Sequence, residues 1–223
     1  TKSEIYLPAD VHPYSALVYE KARDTLRMME QKGVLIREEK PCYYIYKLVM
    51  KGRSQTGLVC LSSVDDYNQG LVKKHEFTRP EKENDRISHI RTTGAQTGNV
   101  FLAYENVAEM DNLVSGWMSA HAPVYDFTAP DKVQHTIWIV DEETAVQRIT
   151  DIFSSQVPCT YIADGHHRAA SAAKVREALG TSAGPGADYF LTTLFPAGEL
   201  EIMDYNRVVR DLHGLSQEDF ISA

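Results

Sequence analysis

The chain has 223 residues, 43% hydrophobic and 24% charged, with a formal net charge of −8. That length is ample for a buried core and allows one large or two modest domains. The acidic balance argues against a broad face that grips nucleic acid, and no run approaches the roughly 18 consecutive apolar residues of a membrane span.

The start, Thr1-Lys2-Ser3-Glu4, carries neither a signal peptide nor an initiator Met and reads as truncated. Val11 to Lys32 is predicted as a helix, with Leu17 or Val18, Ala22, Leu26 and Met29 at helical spacing and Gly33 closing it. Cys42 to Met50 and Thr56 to Val64 flank a Lys51-Gly52 turn and predict a β-hairpin, followed by a polar turn at Asp65-Asp66-Tyr67-Asn68. The three cysteines, Cys42, Cys60 and Cys159, form no CxxC pair, which predicts a reduced, cytoplasmic chain.

Leu71 to Phe77 reads as a short strand, with His75-Glu76 at its end, where functional side chains are often displayed. Thr78 and Glu81 have capping-box spacing around Pro80, and the helix they open runs through about Arg91. Lys82, Arg86 and His89 fall on one face of that helix, a solvated stripe or a wall facing phosphate. Gly94-Ala95-Gln96-Thr97-Gly98 lacks a Walker or dinucleotide spacing and reads as a connection. Strands are predicted at Asn99–Tyr104, His121–Phe127 and Val133–Val140, and helices at Val107–Ala120 and after Asp141, which would cap the second.

The most informative stretch is Tyr161-Ile162-Ala163-Asp164-Gly165-His166-His167-Arg168-Ala169-Ala170. An apolar run, Val157 to Ala163, predicts a strand, Asp164-Gly165 a turn, and the alanine-rich successor a helix. The first amides of a helix have no partner inside it, and its dipole adds positive potential there. Gly165 permits close backbone approach and Arg168 offers a fork for phosphate oxygens, so the corner suits an anion, most simply a phosphate. Thr181 to Gly186 reads as a flexible loop and Ala187 to Phe195 as a strand. Glu201 to Arg207 is predicted to lead from strand into helix, and Ser216 to cap a last helix. Interleaved strands and helices with a hairpin predict an α+β fold with a mixed β-sheet and flanking helices. Residues 1–66 would form a subdomain or a flank of that sheet, and residues 67–223 the core.

Val157 to Arg168 resembles the phosphate-binding box of the ParB/sulfiredoxin-like fold, a strand followed by Gly-x-x-Arg on a helix. Together with Lys74-His75-Glu76-Phe77-Thr78-Arg79-Pro80-Glu81-Lys82 and Asp204-Tyr205-Asn206-Arg207, nearly the whole chain is similar to the bacterial and archaeal domain-of-unknown-function ten-fifteen family. That family is related to the free-serine kinases, and its members are usually longer at both ends. The resemblance implies that Gly165, His166 and Arg168 hold nucleotide phosphates, with Asp164 preceding the box. His167 stands at a position that varies across the superfamily. Glu76, after His75, matches the acid regarded as catalytic in the serine-kinase relatives. The implied activity is transfer of phosphate from ATP or ADP, with Mg²⁺, to a hydroxyl such as that of free serine. The alternative is a ParB-like nucleotide-binding regulatory module without transfer. A metal-dependent hydrolase using His75, His166 and His167 is disfavoured because adjacent helical residues point about 100° apart and no HExxH spacing exists.

Overall fold

The computed structural model describes residues 8, 10–204 and 206–222; the truncated-start reading at residues 1–4 and Tyr205 of the 204–207 motif lie outside them. Helix α1 (Ala16–Gln31) precedes β1 (Tyr43–Met50), β2 (Arg53–Ser63), α2 (Val64–Gln69), β3 (Val72–Lys73) and α3 (Pro80–Thr93). Then come β4 (Val100–Tyr104), α4 (Ala108–Ala120), β5 (Tyr125–Thr128), β6 (Gln134–Val140) and α5 (Glu143–Gln156). The last elements are β7 (Thr160–Asp164), α6 (His166–Leu179), β8 (Tyr189–Pro196) and α7 (Gln217–Ser222). Among the described residues, 3₁₀ turns lie at Gly180–Ser182, Pro185–Asp188 and Ala197–Glu199, the first two in and around the predicted 181–186 loop. No described helix is long and apolar enough to cross a membrane.

The eight strands of the described residues join one mixed sheet in the order β3-β7-β4-β8-β2-β1-β6-β5. The pairs β3–β7 and β4–β8 are parallel and the others antiparallel, giving the mixed α+β architecture. The hairpin β1–β2 turns on Lys51 and Gly52, both at positive φ (52° and 82°), the two-residue turn whose twist matches the strands. That hairpin occupies the interior of the sheet, with Leu58 opposite Leu194 on β8 and Ile45 opposite Trp138 on β6. Alternation along the strands feeds two apolar clusters. Ile45, Leu58, Trp138 and Val140 meet Met110 and Trp117 of α4 and Ile149 and Ile152 of α5. Val100, Leu102, Ile162, Phe190 and Leu194 meet Tyr67 of α2 and Ala169, Ala170 and Ala172 of α6. Phe153 and Val157 pack against both.

Several predicted elements are corrected. Asp65–Asn68 is helix, because the Ser63 hydroxyl accepts from the amides of Asp65 and Asp66 and Gly70 closes the helix in the left-handed region. In the predicted 71–77 strand only Val72 and Lys73 pair, and 74–79 is irregular. The capping box does not form: Arg79 is the N-cap of α3, and Thr78 donates to Glu83 instead. Glu142, not Asp141, is the N-cap of α5. Strand β7 starts at Thr160, because Val157 ends α5 and Pro158, which has no N–H, follows. The predicted strand-to-helix passage at 201–207 is irregular throughout its described residues.

Helices α3 and α6 pack side by side, and α1 packs against α3, where the Tyr19 hydroxyl donates to Asp85 (2.9 Å). Small residues on α6, from Ala169 to Ala172, are buried and permit the close approach. Between α3 and α6 lies Glu83, only 4% exposed, whose carboxylate accepts from Lys174 and Thr78. Burial alone would raise its pKa, but the hydrogen bonds from Lys174 and Thr78 reverse this and hold the carboxyl below its usual range.

Two predictions concern this scaffold. A Cβ at Gly57 would lie 2.7 Å from the Leu194 carbonyl oxygen and 2.9 Å from the Phe195 ring, and the strand backbone cannot yield. Gly57→Ala should therefore destabilise by about 1–3 kcal/mol in urea unfolding, the scale of overpacking; an unchanged midpoint would contradict it. Because the folded Glu83 carboxyl is depressed, its stabilisation is complete above the unfolded glutamate value of about 4.3 and is lost as pH falls through the lower folded value. Glu83→Gln should cost about 1.5–3 kcal/mol at pH 7, and the gap to the parent protein should shrink below about pH 4. A gap that stays constant from pH 7 to pH 3 would contradict the assignment.

Candidate functional site

The β7–α6 junction is built around Gly165, at φ 99° and ψ 24°, a conformation other residues rarely adopt. A Cβ there would also meet the Arg168 guanidinium at 3.1 Å. The Gly165 carbonyl accepts from the amides of Arg168 (2.9 Å) and Ala169 (3.1 Å), so the amides of residues 165–167 precede the helical ladder. Arg168 folds back over this turn. Its guanidinium donates to Asp164 Oδ2 (2.6 Å) and to the Asn99 carbonyl, and its stem lies 3.4 Å from a Cβ built at Gly98. Arg168 thus braces the corner and is not a free fork.

The two histidines of α6 hold the irregular segment 74–79 against the helix. His166 Nε2 accepts the His75 amide (3.4 Å) and His167 Nε2 accepts the Arg79 amide (3.0 Å). Lys74 Nζ lies 3.9 Å above the Tyr67 ring, and Thr78 is tied to Glu83. With Lys74 so engaged, Glu76 turns to His166, its Oε2 standing 3.3 Å from Nδ1, and the His75 ring meets the His166 ring edge-on at 4.5 Å. His166 is 3% exposed; burial, then His75, lowers its pKa against the opposing pull of Glu76 and Asp164. The neutral ring that accepts at Nε2 carries its proton on Nδ1, the nitrogen that faces Glu76.

A cleft of about 460 Å³ opens in front of these groups. It is lined by Glu76, by Asp164 to Arg168, and by Lys82, Asp85, Arg86 and His89 of α3, so the stripe faces the head of α6. Arg86 is partly neutralised by Asp85 (2.9 Å), while Lys82 makes no ion pair among the described residues. Burial, then Arg86, lowers the pKa of His89. Depressions of about 940 and 1360 Å³, and others of about 730 and 510 Å³, lie elsewhere. The first has its cations committed, Arg176 to Asp65 and Asp188, and Lys174 to Glu83. The second carries only Arg37 as a cation and no helix N-terminus like that of α6.

The structure therefore brings Glu76, Asp164, Gly165, His166, His167 and Arg168 to one cleft, with His75 behind His166. Sequence reasoning missed the 94–98 loop, read as a connection. Gln96, Thr97 and Gly98 line the cleft, and the Gln96 side chain anchors the loop to β8 by donating to the Tyr189 carbonyl (2.8 Å) and accepting from the Leu191 amide (3.0 Å). The flanking glycines were the available signal. His75, Glu76 and His166 also place three ligand atoms within 4.8 Å of one another, whereas His167 points to Arg79. The trio that sequence spacing disfavoured is thus replaced by one containing Glu76.

No curated protein and no solved structure matches the chain. Residues 1–223 match the family described as protein of unknown function (DUF1015), and the chain belongs to that family.

Proposed function

We propose that the cleft binds the phosphates of ATP or ADP and that the protein transfers a phosphoryl group to a small hydroxyl-bearing substrate such as free serine. The single observation that carries this is the meeting of Glu76 with the first turn of α6, through the 3.3 Å contact to His166. A candidate base so placed stands beside an anion site. The first amides of α6 and its dipole favour phosphate oxygens, and Lys82 and Arg86 add charge from the facing wall. The cleft volume lies within the range of small-ligand pockets, about 300–1,000 Å³.

Phosphoryl transfer is mostly positioning and charge neutralisation. Glu76 accepts the proton of the substrate hydroxyl as that oxygen bonds to the terminal phosphorus. The bond from phosphorus to the bridging oxygen breaks, and the nucleotide leaves one phosphate shorter. The His166 ring, with Nδ1 3.3 Å from the Glu76 carboxylate, positions it. For Mg²⁺, which takes one or two carboxylates beside water and phosphate, Asp164 offers Oδ1, because Oδ2 is engaged by Arg168. When bound there, the ion would neutralise phosphate charge. The ParB/sulfiredoxin-like relationship belongs to this proposal and rests on the strand–Gly-x-x-Arg–helix pattern with its left-handed Gly165.

Titration calorimetry with ATP and ADP, followed by a phosphate-transfer assay on serine and other small hydroxyl compounds, tests the proposal. Lys82 makes no ion pair among the described residues, and Lys82→Ala should weaken nucleotide binding by roughly 1.5–3 kcal/mol, the scale of hydrogen bonds to charged groups. Arg168→Ala should weaken it too, because losing the brace to Asp164 and Asn99 loosens the corner. Glu76→Gln should leave binding nearly intact and lower turnover by roughly 10²–10⁴. Binding without transfer would favour the regulatory alternative, and affinity indifferent to both cation substitutions would remove the site from this cleft.

A further inference from the structure

We infer that His75, Glu76 and His166 form a binding site for a divalent cation of the zinc class. Two imidazoles and one carboxylate converge with ligand atoms within 4.8 Å of one another. His166 Nδ1 and Glu76 Oε2 lie 3.3 Å apart, close to the edge of a tetrahedron whose ligands stand about 2.0–2.2 Å from the ion. The donor set selects the metal: imidazole nitrogens suit zinc and its transition-metal neighbours, whereas Mg²⁺ requires oxygen. Three protein ligands with one open position is the pattern of accessible zinc sites.

The site is half prebuilt. His166 is buried in the first turn of a long helix and fixed by packing, while His75 and Glu76 are exposed on the irregular segment and close onto the ion from outside. Loading Nδ1 moves the ring proton to Nε2 and gives up the long 3.4 Å contact from the His75 amide. His167 takes no part, because its Nε2 receives the Arg79 amide. A carboxylate held by the ion no longer serves as a base, so zinc would oppose the activity proposed above; only this consequence rests on that proposal.

The test uses Zn²⁺ alone, without nucleotide, titrated into metal-stripped protein by calorimetry, with Co²⁺ absorption reporting coordination. One Zn²⁺ per chain is expected, with tetrahedral Co²⁺ absorption bands. His75→Ala and Glu76→Gln, both at exposed positions, should each lower affinity by at least about 10–100-fold, the loss seen when even an outer-shell partner is removed. His166→Asn should do the same; if it unfolds, the two exposed variants still decide. His213→Ala, at an exposed histidine remote in sequence from the cluster, should change nothing. Parent-like affinity in His75→Ala and Glu76→Gln, or loss of binding in His213→Ala, would overturn the site. Failure to bind zinc leaves nucleotide binding to be judged by its own titration.

Discussion

The arrangement depends on the two imidazoles at the head of α6, each of which accepts a backbone N–H from the 74–79 segment. Beyond Lys73 that segment has no strand partner, so it is held by side-chain contacts instead of a ladder. His166 and His167 stand in for the missing ladder. Each such bond is worth only about 0.5–1.5 kcal/mol net, but together with Lys74 on Tyr67 and Thr78 on Glu83 they fix four points along six residues. Helix α3 starts directly after the last of them, so its basic face is aimed by the same contacts.

The corner itself was legible in the sequence. An apolar run, Asp-Gly and an alanine-rich continuation have one local solution, and Gly165 adopts the left-handed conformation that solution needs. The helical spacing of Lys82, Arg86 and His89 likewise gave one face, although not what that face looks at. What periodicity cannot supply is neighbourhood. That β3 runs parallel to β7, and thereby carries His75 and Glu76 to His166, is set by pairing between strands far apart in the chain. Hence Glu76 was found as an isolated acid and its partner was not. The same blindness hid the 94–98 loop, whose role comes from Gln96 anchoring to β8 and Gly98 making room for Arg168. At the other extreme, Asp65–Asn68 was misread for a local reason, because the capping Ser63 lay inside what looked like strand.

Charge in the cleft is divided between fixed and available groups. Arg168 is spent on Asp164 and Asn99, and Arg86 is shared with Asp85, so the available positive potential comes from Lys82 and the α6 amides. The lining is formally balanced, with Lys82, Arg86 and Arg168 set against Glu76, Asp85 and Asp164, so positive potential is confined to Lys82 and the helix N-terminus. Glu76 stands at the edge of the cleft beside the imidazoles, 3.3 Å from His166, so both proposals turn on its carboxylate.

The most direct test of the central claim is a crystal structure of the protein grown with ADP and Mg²⁺. The account predicts phosphate density against the amides of residues 165–167, with Lys82 turned toward it and Glu76 still beside His166. Nucleotide bound in another depression, or phosphates outside hydrogen-bond reach of those amides, would contradict it.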